Sequence, residues 1–168
     1  MPNTVDAYIT VQTGSSKDEV FDIICSIFRD SFSRRIIFAN YMGPRIVADA
    51  ELARGVRIEA FVQHEKGDLR AEGEVAGFTK DHHMIRFNFD STAYHKEGDI
   101  TRPTVEKGRK AEFIFLCKDG ANGLCDLEIG VHLDKKMFGG ATPQQMIHEV
   151  IRFLNSQNIT TSDLPRFF

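Results

Sequence analysis

Between residues 55 and 134, apolar side chains recur at every second position in five separate runs. A period of two marks strands that turn one face to a core and the other to water. In residues 55–64, Val56, Ile58, Ala60 and Val62 share one face, and Arg57, Glu59 and Gln63 the other. Residues 69–78 repeat the pattern, with Leu69, Ala71 and Val75 inward and Arg70, Glu72 and Glu74 outward. Ile85, Phe87 and Phe89 follow, then Phe113, Phe115 and Cys117, then Cys125, Leu127, Ile129, Val131 and Leu133. Glu65–Asp68 predicts a tight hairpin connection and Thr79–His82 another turn. Consecutive strands joined by short turns pair antiparallel, so a meander is predicted.

Two stretches carry the helical period instead. Ser16 and Glu19 form a capping box ahead of Val20, Ile23, Ile24, Ile27 and Phe28, which predicts a helix over 17–31. Thr142, Pro143 and Gln145 precede Met146, Ile147, Val150, Ile151 and Leu154, which predicts a second helix over 143–156. Before the first helix, residues 7–13 alternate around Ile9 and Val11. After it, Arg34–Met42 is an apolar run of strand formers, Gly43–Pro44 a turn signal and Arg45–Ala50 a short strand.

The predicted fold is α+β: a single domain over 1–168, with a mostly antiparallel, six- to seven-stranded sheet. The sheet is curled or closes into a partial barrel, and the two amphipathic helices cover it. A chain of 168 residues suits one such domain. Most of its 14 Phe belong in the core, since each buries a large apolar area. Within 111–134, pairing Lys118 with Leu124 sets Cys117 opposite Cys125, Phe115 opposite Leu127 and Phe113 opposite Ile129. Apolar meets apolar at each step. Residues 91–109 show no period and are expected to form a flexible loop, and 160–168 a tail.

The net charge is −3 and the pI about 6.1, which argues against general nucleic-acid binding. Three cysteines are too few for a disulfide framework. No signal peptide or membrane-length apolar run is visible, so a cytoplasmic location is expected. The motifs of common hydrolases, zinc enzymes and nucleotide enzymes are absent, so no cofactor is expected and a non-enzyme is favoured.

Chemistry-bearing residues fall into four groups. His82, His83 and His95 are metal ligand types, but adjacent strand residues point to opposite faces, so a polar turn explains the His pair more simply. Arg34, Arg35 and Arg45 form a small basic cluster suited to phosphates or carboxylates. The stretch after Tyr94 adds Arg102, Lys107, Arg109 and Lys110 to a chain that is acidic as a whole, and so favours an anionic partner. Leu164, Phe167 and Phe168 end the chain with apolar side chains that must bury, either on the domain itself or on a partner.

The runs Gly55-Val-Arg-Ile-Glu-Ala-Phe-Val, Leu69-Arg-Ala-Glu-Gly-Glu-Val-Ala and Met84-Ile-Arg-Phe-Asn-Phe resemble the barrel strands of PilZ domains. That family binds cyclic di-GMP, and Arg34–Arg35 stands where it carries its arginine motif. The family's Asp-x-Ser-x-x-Gly motif, due between Arg35 and Gly55, is absent. The resemblance therefore implies a degenerate barrel rather than a cyclic di-GMP site.

The expected function is a non-enzymatic binding or regulatory module that acts through protein–protein contacts, with a homodimer as one form. The alternative is a sensor of a phosphate or nucleotide ligand, a small anion held by the arginines. An enzyme with a dispersed acid–base site at His82, His83 and His95 is a third.

Overall fold

The computed structural model describes residues 4–29, 37–38, 41–46, 51–62, 68–95, 111–134 and 142–162. The strands are β1 (Thr4–Gln12), β2 (Ile37–Phe38), β3 (Tyr41–Ile46), β4 (Arg57–Val62), β5 (Asp68–Thr79), β6 (Met84–His95), β7 (Ala111–Asp119) and β8 (Cys125–Asp134). The helices are α1 (Lys17–Arg29) and α2 (Pro143–Ser156). All strands join one antiparallel sheet in the order β1-β8-β7-β6-β5-β4-β3-β2. The α+β class, the meander and both helices are as the sequence predicts. The two-residue β2 brings the strand count to eight.

The sheet is curled, and the cause is local. The β5–β6 register slips between Glu72 and Gly73 and again between Val75 and Gly77, and each slip is a bulge that bends the strands. Gly73 is required at the first: an added Cβ would lie 1.7 Å from the Asn88 carbonyl oxygen. The curl brings both ends of the strand order to one helix, since α2 packs on β8 and β1 and also on β2. The α1 helix packs on β3, β7 and β8 inside the same concave face.

The side chains predicted to face inward fill that space. Phe28, Phe87, Phe89, Phe113, Phe115, Ile58 and Ile129 are all buried. Phe87 is the hub. Its ring stacks on Phe113 at 4.9 Å and meets Phe28 edge-on at 5.1 Å. The interior beneath β6 and β7 is therefore packed aromatic side chains.

Both caps form. Gln145 N–H donates to Thr142 Oγ1 at 3.2 Å, and Thr142 N–H donates to Gln145 Oε1 at 2.9 Å. Glu19 N–H donates to Ser16 Oγ at 3.3 Å. Beyond α2 the chain runs back beside β1: Gly14 N–H donates to Thr160 O, Ser162 N–H to Gln12 O, and Thr161 bridges Thr13.

Three local predictions need correction. Gly43–Pro44 is no turn; it lies inside β3, where the register against β4 shifts between Met42 and Arg45. A bulge tolerates proline because the bulged residue has no ladder bond to lose. The β7–β8 register is offset by two from the expected one: Phe113 faces Val131, Phe115 faces Ile129 and Cys117 faces Leu127. A slip of two keeps every side chain on its face, so the apolar pattern cannot distinguish the two registers. The loop decides: Ala121–Gly123 forms a 3-10 turn, Asn122 takes a left-handed φ of 60°, and Gly120 N–H donates to Leu124 O at 2.7 Å. Finally, β6 runs on to His95, past Asp90, because Asp68–Glu72 of β5 supply its ladder partners.

Candidate functional site

The first turn of α1 begins a polar stripe alongside its apolar one. Asp18, Asp22, Cys25 and Arg29 follow at spacings of four, three and four, which places them on one helical face. The β5–β6 connection lies across from them. Phe78 near the end of β5 and Lys80, Asp81 and His83 of the turn complete a cleft of about 720 Å³. A cleft of this volume suits a small molecule.

His83 fixes the wall of that cleft. It adopts a left-handed φ of 49°, uncommon outside glycine. Its N–H donates to Lys80 O at 3.1 Å, and its carbonyl accepts from Cys117 N–H at 2.9 Å, so the turn is tied to β7. Its Nε2 pairs with Asp18 Oδ1, and its ring meets Phe21 edge-on at 5.3 Å. Its Nδ1 is buried with no hydrogen-bond partner among the described residues. Phe21 also stacks on Phe78, with centroids 5.9 Å apart and planes 20° apart. One side of the cleft is thus aromatic.

The other side is charged. Arg29 and Lys80 are exposed, and among the described residues neither has an ion-pair partner. They also line a second hollow of about 390 Å³ with Glu51 and Leu52, so they stand on the wall shared by two adjoining spaces. Cys25 is a poor nucleophile: burial pushes its thiol up to about 11 despite the nearby Arg29.

The outer face of the sheet carries a smaller apolar hollow, about 250 Å³, floored by Gly130 between Tyr8 and Ile114. The Tyr8 hydroxyl donates to Glu128, which pushes the phenol up to about 12. Lys118 Nζ sits 2.9 Å from the same carboxylate, and these two bonds hold Glu128 below the usual carboxylate range.

Of the residues singled out from sequence, four lie on described backbone: His82, His83, His95 and Arg45. His82 is exposed in the turn, His83 is pinned against α1, and His95 ends β6, roughly 35 Å along the strand from its start. The backbone of His95 thus stands at the far end of β6 from the turn that carries His82 and His83. Among the described residues, no group of three or more His, Cys, Asp or Glu could hold a metal. Arg45 belongs to β3, with its backbone alone described. Arg34, Arg35, Arg102, Lys107, Arg109, Lys110, Leu164, Phe167 and Phe168 lie outside the described residues. Arg29, Lys80 and Phe78 were not singled out from sequence. The one available signal was the polar stripe beside the apolar one on α1.

No family profile matches the chain, and no curated protein matches it in sequence. Solved structures do match in fold. A major latex-like protein 151 from Panax ginseng aligns with a TM-score of 0.59 at 12% identity, over 93% of this chain and 98% of the other. Ara h 8.0201 aligns with a TM-score of 0.55 at 10% identity, over 92% and 91%. DR_A0006 from Deinococcus radiodurans aligns with a TM-score of 0.52 at 12% identity, over 92% and 95%. At such identities the likeness is one of architecture: this chain has the curled sheet and flanking helices of the major latex-like fold.

Proposed function

We propose that the protein is a non-enzymatic binding module whose ligand site is the cleft between α1 and the β5–β6 turn. One observation carries this reading: a cleft of small-molecule size has an aromatic wall and two cations, Arg29 and Lys80, with no ion-pair partner among the described residues, while its Cys25 thiol is held up by burial. The Phe-filled interior supports it, since that part of the concave face leaves little space for a ligand. Arg29 and Lys80 give the cleft cations of its own for an anionic ligand, in addition to the Arg34, Arg35 and Arg45 that the sequence singles out. Three buried free thiols favour a reducing compartment, the cytoplasm. Among the described residues, no helix is long and apolar enough to cross a membrane.

The test is amide chemical-shift mapping on ¹⁵N-labelled protein against a mixed set of aromatic, aliphatic and peptide fragments. Shifts gathered on 18–29 and 78–83 support the cleft. Shifts gathered elsewhere, or none at millimolar fragment, remove it.

Association through protein contacts is the second reading, favoured by the outer face of β1. That strand stands at one end of the sheet order, and its Tyr8 is 60% exposed beside the apolar hollow. A homodimer joined there, with Leu164, Phe167 and Phe168 contributing, is the form we propose. Light scattering on the full chain and on a chain ending at Asp163 checks it, and two monomeric masses would exclude it.

A further inference from the structure

We propose that the cleft takes a small planar aromatic monocarboxylate, its ring against the Phe21–Phe78 wall and its carboxylate between Arg29 and Lys80; this deepens the cleft reading and rests on it. Phe21 and Phe78 stack in offset planes, and His83 extends the wall edge-on to Phe21. A further flat ring continues such a stack, whereas a branched aliphatic would touch less of it.

Arg29 closes α1 and Lys80 opens the turn, so the two cations converge from separate elements on the wall between the two hollows. An arginine fork and an ammonium together suit one carboxylate. The remaining charges limit the ligand's own. Asp18, Asp22 and Asp81 also line the cleft, and Glu51 lines the adjoining hollow beside both cations, four carboxylates in all against two cations. Asp18 is engaged by His83, while Asp22 sits two helical turns before Arg29, about 10 Å along the axis. A single negative charge at the basic end is well placed. A phosphate dianion or a nucleoside triphosphate would carry extra charge toward Asp22 and Asp81, where like charges repel.

The chain has no Trp, so a fluorescent naphthalene probe titrates against a dark background. The probes are 2-naphthoate, 2-naphthyl phosphate and neutral 2-naphthamide, titrated into wild type and the double variant Arg29→Gln/Lys80→Gln. Both residues are exposed, and matching circular dichroism and thermal midpoints confirm that the variant folds. Wild type should bind 2-naphthoate at least tenfold more tightly than either other probe. The double variant should lose at least tenfold for 2-naphthoate and little for 2-naphthamide. Equal affinity for the amide, tighter binding of the phosphate, an unaffected double variant, or no binding of 2-naphthoate overturns the proposal. If fragments still shift the 18–29 and 78–83 amides, the cleft stands and the anion selectivity alone fails.

Discussion

His83 Nε2 lies 2.5 Å from Asp18 Oδ1, which ties the β5–β6 turn to the first turn of α1 across the mouth of the cleft. The partners are unequal, for the His83 side chain is 15% exposed and that of Asp18 is 85% exposed. An exposed carboxylate contributes little through charge alone. The imidazole's packing on Phe21 and its place in the turn contribute more.

We therefore expect Asp18→Asn to cost under about 0.5 kcal/mol, and His83→Ala about 1–2 kcal/mol through lost packing. Urea denaturation measures both. Equal losses would mean that the ion pair, rather than the ring contact, holds the turn.

Gly73→Ala should be severe. The added methyl would collide with the backbone of Asn88 and Phe89 on the neighbouring strand, and backbone cannot rotate away as a side chain can. A loss of roughly 3 kcal/mol is expected, at the upper end of overpacking costs. Thermal unfolding checks it; a midpoint within a few degrees of wild type would show that β5 and β6 can separate cheaply there.

Phe87→Ala removes the hub ring from contact with Phe28, Phe89, Phe113 and Phe115. Such truncations cost about 3–5 kcal/mol. Phe21→Ala, at the cleft, should cost less, because Phe21 lies at the margin of that cluster. Paired denaturant titrations decide the order.

Tyr8 gives an alkaline signature. Its folded-state value, about 12, lies above the ordinary value of 10.0, so its contribution is complete below pH 10 and fades as pH rises through 12. The stability difference between wild type and Tyr8→Phe should be constant from pH 7 to 9 and shrink from pH 10 to 12. A difference that grows with pH would place the Tyr8–Glu128 bond in the wrong protonation state.

Cysteine reactivity tests the core. All three thiols are buried, and burial pushes Cys25 up to about 11. In native protein at pH 8, no thiol should react with an aromatic disulfide reagent within minutes; in denaturant all three should. One fast native thiol would show that the cleft floor at Cys25 opens to solvent.

Much of this architecture was legible in the chain itself. A period of two fixes which side of a strand Ile58, Phe87, Phe115 and Ile129 occupy, because successive Cβ atoms alternate. A capping box and a 3.6-residue stripe fix a helix, because orphan N–H groups need acceptors and an apolar face needs cover. Thr142 and Gln145 do so without reference to the rest of the fold. What depends on distant parts of the chain was hidden. A two-residue slip leaves every face unchanged, so Cys117 could not be matched to Leu127 until the Asn122 turn set the loop length. Pro44 reads as a turn until β4 supplies the strand against which it bulges. Only the sheet's curl brings Phe78 and Lys80 to the polar stripe of α1, since local periodicity says which way a side chain points and the fold alone decides what it meets.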